Sequence, residues 1–473
     1  MKLVVCALAA VALPAFLLGA GAWGPASSMH VQNVPGMEVV VVDHGRIVTD
    51  AAYGVRNVDT QQPVDTHTRF EIGSITKQFT AAAILQLRER GRLSLDDRLG
   101  KYVPQYVQGR NVTLRQLLMQ VSGIPNYTDT PAFRSLVTLR GTTVVLRRSG
   151  NFDAILALLH GKPLGFRPGT RFQYSNSNYV LLGRIVEIVS GMSWQRYVEK
   201  NVFARAGMTE STFMENEGNT PDMATGYLMF RGHIRDAGGT RGTFTGWAEG
   251  AGAIVSTATD LAKWDAALFG GRIVSSADVR LMTAPGRLAA FGPDAHYGFG
   301  WVVDRYDGQP RIWHNGGTLG FSSSNEIYPR QHQIVIVLLN TTVANADTIA
   351  GAQFERLHPR LAAASRRAVA GEDPAVTNRA KAVLAQLTNG LVDRTQFDAD
   401  MNAHLTPDLL AGAKAQFLQL GSATTWVYRG KHAVGAQTTY AYHVSFSSGA
   451  QLNVYMSVNA AGKISGYLLS PGS

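Results

Sequence analysis

Apolar residues first gather over 37–43 (MEVVVVD), pause at His44-Gly45 and resume over 46–53. A β-branched run interrupted by glycine predicts two strands joined by a tight turn. The polar stretch 57–68 reads as a loop. Over 70–87 (FEIGSITKQFTAAAILQL) the pattern becomes that of an apolar helix, ended near Arg90-Gly91 by basic residues and a glycine. A loop opens at Ser94, a short helix enters at Thr113 and runs to 120, and 122–127 is rich in turn formers. Residues 130–165 are mixed and read as mainly helical. A turn at 167–170 leads to an apolar helix over 179–190, closed by Gly191, and a further helix over 193–200. Residues 215–247 are glycine-rich and weakly patterned, so they read as long surface loops. A glycine-rich turn at 250–257 precedes a helix at 258–269, and Gly250 and Gly252 there read as turn formers without chemistry. Residues 297–303 read as a strand, 312–321 as a segment holding a glycine turn, and 333–340 (QIVIVLLN) as a buried strand.

The pattern shifts near 361, where an Ala/Arg-rich stretch with Pro374 reads as a linker over 356–376. Two amphipathic helices are expected at 377–389 and 406–420. Four segments, 424–428, 438–446, 452–458 and 464–469, then alternate apolar and polar residues as a half-exposed antiparallel sheet does. The organisation expected is a large domain over 30–355, the linker, and a small α+β module over 377–473. By pattern the module is similar to cone-shaped folds of the nuclear-transport-factor kind.

Composition narrows the class. The 473 residues are 45% hydrophobic and only 16% charged, a globular composition with core enough for at least two domains. The formal charge is +10, but no basic run exceeds the pairs Arg147-Arg148 and Arg366-Arg367, so no nucleic-acid partner is expected. Lys2 precedes an apolar stretch that ends in Ala20-Gly21-Ala22, a small-x-small cleavage site. Residues 1–22 therefore read as a signal peptide, with an uncleaved anchor as the rival, and the localisation expected is periplasmic or secreted. The single cysteine, Cys6, falls inside that segment, so no disulfide, thiol nucleophile or cysteine metal site is expected in the mature chain.

Ser74 and Lys77 stand at the start of the first long helix. Positions i and i+3 share a helix face, so the amine can reach the hydroxyl. An amine of lowered pKa can serve as base for a serine nucleophile, and a helix N-terminus favours developing negative charge. A lone Ser-x-x-Lys is a weak signal. Here it is followed by Tyr174 and Asn176, and then by His314-Asn315-Gly316-Gly317 before an apolar strand.

With these, the chain resembles the serine β-lactamase and D-alanyl-D-alanine carboxypeptidase superfamily, in the branch of class C β-lactamases, DD-carboxypeptidases and related esterases. The residues that carry the resemblance are Phe70 to Lys77, Leu117-Leu118, Ser122 to Pro125, Tyr174 to Asn176, Ser256-Thr257, Asp260-Leu261, Tyr297 to Trp301 and His314 to Gly316. They span about residues 30–350 and leave the C-terminal module outside. The resemblance implies an α+β, β-lactamase/transpeptidase-like fold: an antiparallel sheet flanked by helices, a helical subdomain, and the site between them. It implies Ser74 as nucleophile and Lys77 with Tyr174 as base and acid, the cation lowering the phenol's pKa. Asn176 would hold Lys77 and the substrate amide. The N–H groups of Ser74 and Gly317 would form an oxyanion hole, and His314, Asn315, Gly316 and Gly317 would bind substrate, with His314 facing its carboxylate side. No metal or cofactor is implied, and neither HExxH nor a P-loop occurs.

The chain departs from that pattern where many relatives carry lysine at the position of His314 and Ser or Thr at that of Asn315. A protonated His314 as anchor for a substrate carboxylate would lose its charge above about pH 7. The competing reading is a structural histidine bonded to a backbone carbonyl. Trp313, Tyr127 and Trp301 read first as packing and second as cleft lining. The function expected is an exported serine hydrolase acting through a Ser74 acyl-enzyme on a small-molecule or peptide substrate, peptidoglycan included. A D-Ala-D-Ala-type peptidase or esterase ranks ahead of a potent β-lactamase. A non-catalytic penicillin- or peptidoglycan-binding protein is the alternative.

Overall fold

The β-branched run at the start of the chain becomes β1 (Gly36–Asp43), joined through His44 and Gly45, both at positive φ, to β2 (Arg46–Asn57). The computed structural model describes residues 34–140, 143–146, 150–230, 233–237, 246–292, 294–365, 367–434, 437–448 and 450–471. The expected signal peptide lies outside these. Further strands are β3 (Gln62–Pro63), β4 (Ala289–Gly292), β5 (Ala295–Tyr297), β6 (Val302–Tyr306), β7 (Gln309–Thr318), β8 (Phe321–Tyr328) and β9 (Gln333–Leu339). They form a nine-stranded antiparallel sheet of order β4-β5-β6-β7-β8-β9-β1-β2-β3.

Both faces of the sheet centre are covered, which is why β1 and β9 read as continuous apolar runs. Val40, Val42, Ile336 and Leu338 enter a large core that includes helices α1 (Thr76–Glu89), α2 (Asn176–Ser190) and α3 (Ala258–Phe269). Met37, Val39, Val335 and Val337 pack on the other face against Ile349 and Phe354 of α4 (Ala346–Leu357). Buried Glu38 accepts a hydrogen bond at Oε2 from Ala258 N, the first residue of α3 (3.0 Å).

Every residue of α1 from Thr76 to Leu87 is buried, as expected of a helix apolar on all sides. Its polar side chains are bonded inside that environment. Thr80 Oγ1 donates to Gly250 O (2.7 Å), Trp264 Nε1 donates to Gln78 Oε1 (2.9 Å), and Gln86 Nε2 donates to the carbonyls of Asn201 and Ile273 (both 3.0 Å).

The structure differs from the sequence reading in two places. Residues 130–165 hold an antiparallel hairpin, Val137–Arg140 with Thr143–Leu146, between two helices, Pro131–Arg134 and Phe152–Leu159. Residues 215–247 hold a second hairpin, Tyr227–Phe230 with His233–Asp236. The glycine turn expected within 312–321 lies at Leu319-Gly320, with Gly320 at φ 93°, after the strand β7 that fills the segment up to Thr318.

Beyond residue 366, α5 (Pro374–Asn389) and α6 (Pro407–Leu420) pack on a four-stranded antiparallel sheet, β10 (Ala423–Val434) to β11 (Gln437–Phe446), β12 (Gln451–Val458) and β13 (Ile464–Pro471). This core shares no residue with the two cores of the large sheet. Among the described residues no helix is long and apolar enough to cross a membrane.

Candidate active site

Ser74 lies in a single 3-10 turn, Gly73–Ile75, that leads directly into α1. Gly73 has φ 50°, and a Cβ there would stand 2.7 Å from Gly317 N; a Cβ on Gly316 would stand 1.9 Å from Ile72 O. Only glycines let β7 meet the nucleophile turn backbone to backbone. Ser323 of β8 holds the contact by donating to Ile72 O (2.9 Å). Among the described residues, β7 has no strand partner on the β6 side beyond Trp313, because β6 starts at Val302 opposite Trp313. Residues 314–318 thus form a free sheet edge beside Ser74.

Lys77 is fully buried, and its Nζ lies 2.8 Å from Ser74 Oγ, 2.8 Å from Asn176 Oδ1 and 2.7 Å from Ala251 O. Burial pushes the amine well below its ordinary value. The structure therefore brings together Ser74, Lys77 and Asn176, as their order predicts. Ala251 is an addition. The glycine-rich turn read as free of chemistry presents that carbonyl, and a Cβ on Gly250 would stand 2.8 Å from Tyr179 O of α2. A backbone acceptor carries no residue signature, so no sequence signal marks it.

Asn176 opens α2. Its N–H donates to Asn126 Oδ1 (3.1 Å), and the loop carrying Asn126 is fixed because Tyr127 N donates to Ser177 Oγ (2.9 Å), which donates to Pro125 O (2.7 Å). Buried Gln120, at φ 59°, accepts from Ser175 N (3.0 Å) and Asn178 Nδ2 (2.5 Å) at Oε1. These bonds set the register of Tyr174 and Asn176 against Lys77.

Tyr174 places its ring centroid 4.9 Å from Lys77 Nζ. Its expected low phenol pKa is not found. Burial pushes it well above the ordinary tyrosine value, with the Ser74 hydroxyl acting against the rise. The amine meant to lower it is itself driven toward the neutral form. Tyr174, Phe172, Phe291 and Tyr297 form an aromatic wall with centroids 5.2 to 6.5 Å apart. Trp313, Tyr127 and Trp301 pack elsewhere: Trp313 against Arg311 and Asp304, Tyr127 against Trp247 and Phe133, Trp301 against Phe269.

His314 sits on the free edge with its ring buried. Nε2 and Tyr297 Oη are 2.9 Å apart, and Nδ1 lies 2.6 Å from Asn315 O. Burial, and secondarily Lys77, push the imidazole down to about 3. The ring is neutral at neutral pH, so it does not supply the cationic anchor expected of a protonated His314. Its contact with a backbone carbonyl matches the structural alternative. Tyr297 was a missed partner, although it opens the Tyr-Gly-Phe-Gly-Trp stretch that carries part of the resemblance. Asn315 Nδ2 donates to Asp347 Oδ2 (2.6 Å) in the first turn of α4, which occupies the side chain expected to face substrate. Burial raises the Asp347 carboxyl to about 7.

A family model described as Beta-lactamase matches residues 26–359, more than half of the chain. Protein flp of Staphylococcus aureus (strain MRSA252) is 27% identical over 319 residues, 65% of this chain and 60% of that protein. The chain thus spans less than two thirds of the length of that relative. Penicillin-binding protein 4* of Bacillus subtilis (strain 168) is 29% identical over 316 residues, 64% of this chain and 67% of that protein. Among solved structures, the D-stereospecific amidohydrolase from Streptomyces sp. is 28% identical, covers 68% of this chain and 94% of its own, and superposes with a TM-score of 0.60.

Proposed function

The chain belongs to the Beta-lactamase family, and from that premise we propose that it is a serine hydrolase working through an acyl ester on Ser74. The observation that carries the reading is a buried amine of lowered pKa 2.8 Å from the serine hydroxyl at the start of a helix. In this reading Lys77 takes the Ser74 proton as Oγ attacks the acyl carbon. The N–H groups of Ser74 and Gly317 receive the negative oxygen, each at roughly 3 kcal/mol. The C–N or C–O bond then breaks, and the proton returns through Lys77 and Tyr174 to the leaving group. Water attacks the ester by the same route in reverse. An extended peptide-like substrate would add to the free β7 edge at 314–318 as a further strand.

The substrate proposed is an amide or ester of the D-Ala-D-Ala peptidase, D-amidase or esterase type, ahead of a β-lactam turned over efficiently. The neutral His314 and the engaged Asn315 favour an amide or ester that needs no cationic anchor, and likeness to a D-stereospecific amidohydrolase supports an amide. Export through residues 1–22 belongs to the same proposal, and N-terminal sequencing of the secreted chain checks it by finding Trp23 first. The main test follows a fluorophosphonate label, a D-amino-acid amide, a short-chain ester, a D-Ala-D-Ala peptide and a chromogenic cephalosporin, with Ser74→Ala as control. Ser74-dependent labelling with turnover of an amide or ester is expected. A stable label with no turnover of any substrate favours the non-catalytic binding protein, and labelling equal to the control refutes both.

A further inference from the structure

A second concave site opens at the opposite end of α1, about 21 Å from its start at 1.5 Å per residue over 14 residues. Its cavity of about 250 Å³ has Leu87, Met192 and Tyr197 on the apolar side, and Arg90, Arg92 and Lys200 around it. Tyr197 and Leu87 are buried, while the three cations are exposed. The Arg90 guanidinium lies over the Tyr197 ring at 6.0 Å, and its Nη1 donates to Tyr197 Oη (3.2 Å) and Nη2 to Asn201 Oδ1 (3.4 Å). Arg92 Nη2 donates to Val189 O (2.9 Å) near the end of α2.

The charge pattern around this cavity differs from that of its surroundings. Arg88 pairs with Asp278, Arg184 with Glu187 and Arg196 with Glu199. Among the described residues no carboxylate lies within ion-pair distance of Arg90, Arg92 or Lys200. Helix C-termini attract cations, and Arg92 meets that need at Val189 O. Arg90 and Lys200 remain, held beside the cavity and unneutralised. Lys200 and Asn201 belong to a π-helical turn, Glu199–Phe203, a widened geometry that often accompanies function.

We propose that this cavity binds a phosphate group carrying a small organic substituent. The Arg90 guanidinium and the Lys200 ammonium match a compact phosphate dianion, which a guanidinium can grip with two parallel N–H donors. Leu87, Met192 and the Tyr197 ring receive the substituent. The site is separate from Ser74 and needs no catalysis.

The test is isothermal titration of the full chain with inorganic phosphate and with glycerol 3-phosphate at constant ionic strength, with far-UV circular dichroism and Ser74 labelling to check that every variant is folded. Saturable binding is expected. It weakens about tenfold or more in Arg90→Gln and again in Lys200→Gln, the loss of one charge-assisted contact each. Arg196→Gln, which removes an equal charge from a paired arginine, leaves it unchanged. Flotation with phosphatidylglycerol vesicles, against phosphatidylcholine, separates the sources: binding to soluble phosphate assigns a free phosphate compound, and binding to the anionic vesicles alone assigns a lipid headgroup. Absence of saturable binding to every probe, or equal weakening in Arg196→Gln, overturns the proposal.

Discussion

Lys77 meets three oxygens with one amine, and the chemistry of each decides its protonation. A neutral amine has two hydrogens and one lone pair. Asn176 Oδ1 and Ala251 O accept only, so they take the hydrogens and leave the lone pair toward the Ser74 hydroxyl. Lys77→Arg keeps the charge but stays cationic at every working pH, so acylation should fall by about 10³. Because the neutral amine is the base, wild-type acylation rises with pH through a value below the ordinary lysine pKa, and stopped-flow acylation rates across pH measure it. His314 acts on stability in the acid range. Its folded value near 3 lies below the free value of about 6.5, so the unfolded chain binds the extra proton and stability falls as pH drops through that interval. The slope is at most about 1.4 kcal/mol per pH unit. His314→Gln should flatten it, read as urea midpoints at pH 6.5 and pH 4. Ser74, Lys77 and Asn176 were legible because helix spacing and chain order are written in residue types. The charge of His314 was not, since its burial beside Tyr174 and Tyr297 and the field of Lys77 arise only when distant segments meet.

At the scale of elements, the buried joints between helix and sheet are polar and pH-sensitive. Asp265 of α3 accepts from Asn325 Nδ2 of β8 (3.1 Å), and its other oxygen has no hydrogen-bond partner among the described residues. Burial raises the carboxyl to about 8, so it is protonated in the fold at neutral pH. The unfolded chain releases that proton above about pH 4, and stability from this group is therefore lost as pH rises from about 4 to 8. Asp265→Asn keeps the shape without the titration. Between pH 5 and pH 8 its urea midpoint should stay flat where the wild type declines, with a slope of up to about 1.4 kcal/mol per pH unit. Helices α1 to α3 and the strands at the sheet centre were legible from period and from glycine or threonine at their ends. The hairpin around 137–146 was misread although β-branched residues flank Gly141, because its local signal sits between two helical segments. The turn at Gly320 was legible, but the close approach of Gly316 was not, because a glycine needed for close approach looks the same in sequence as one needed to bend.

At the scale of the whole molecule, two sets of apolar cores divide the chain near residue 366. We expect the C-terminal module to unfold on its own. Calorimetry of the full chain should give two transitions, and the chain cut after 365 should keep Ser74 labelling and one of them. A single transition, or loss of labelling, would contradict this. The alternation that revealed the module's four strands is local, whereas the strand order of the large sheet is not. In that sheet β1 lies between β2, a few residues away, and β9, whose partner residues are about three hundred positions later: Met37 pairs with Leu339 and Asp43 with Gln333. This pairing sets an order of events during synthesis. Until residue 339 leaves the ribosome, β1 lacks its β9 neighbour, and the face carrying Met37 and Val39 lacks the cover of α4. Loop closure on that scale makes subsequent assembly slow, in the millisecond-to-second range. A ribosome-arrested chain ending before Gln333 should therefore be cut by protease within β1, and one extended past the sheet should be protected there.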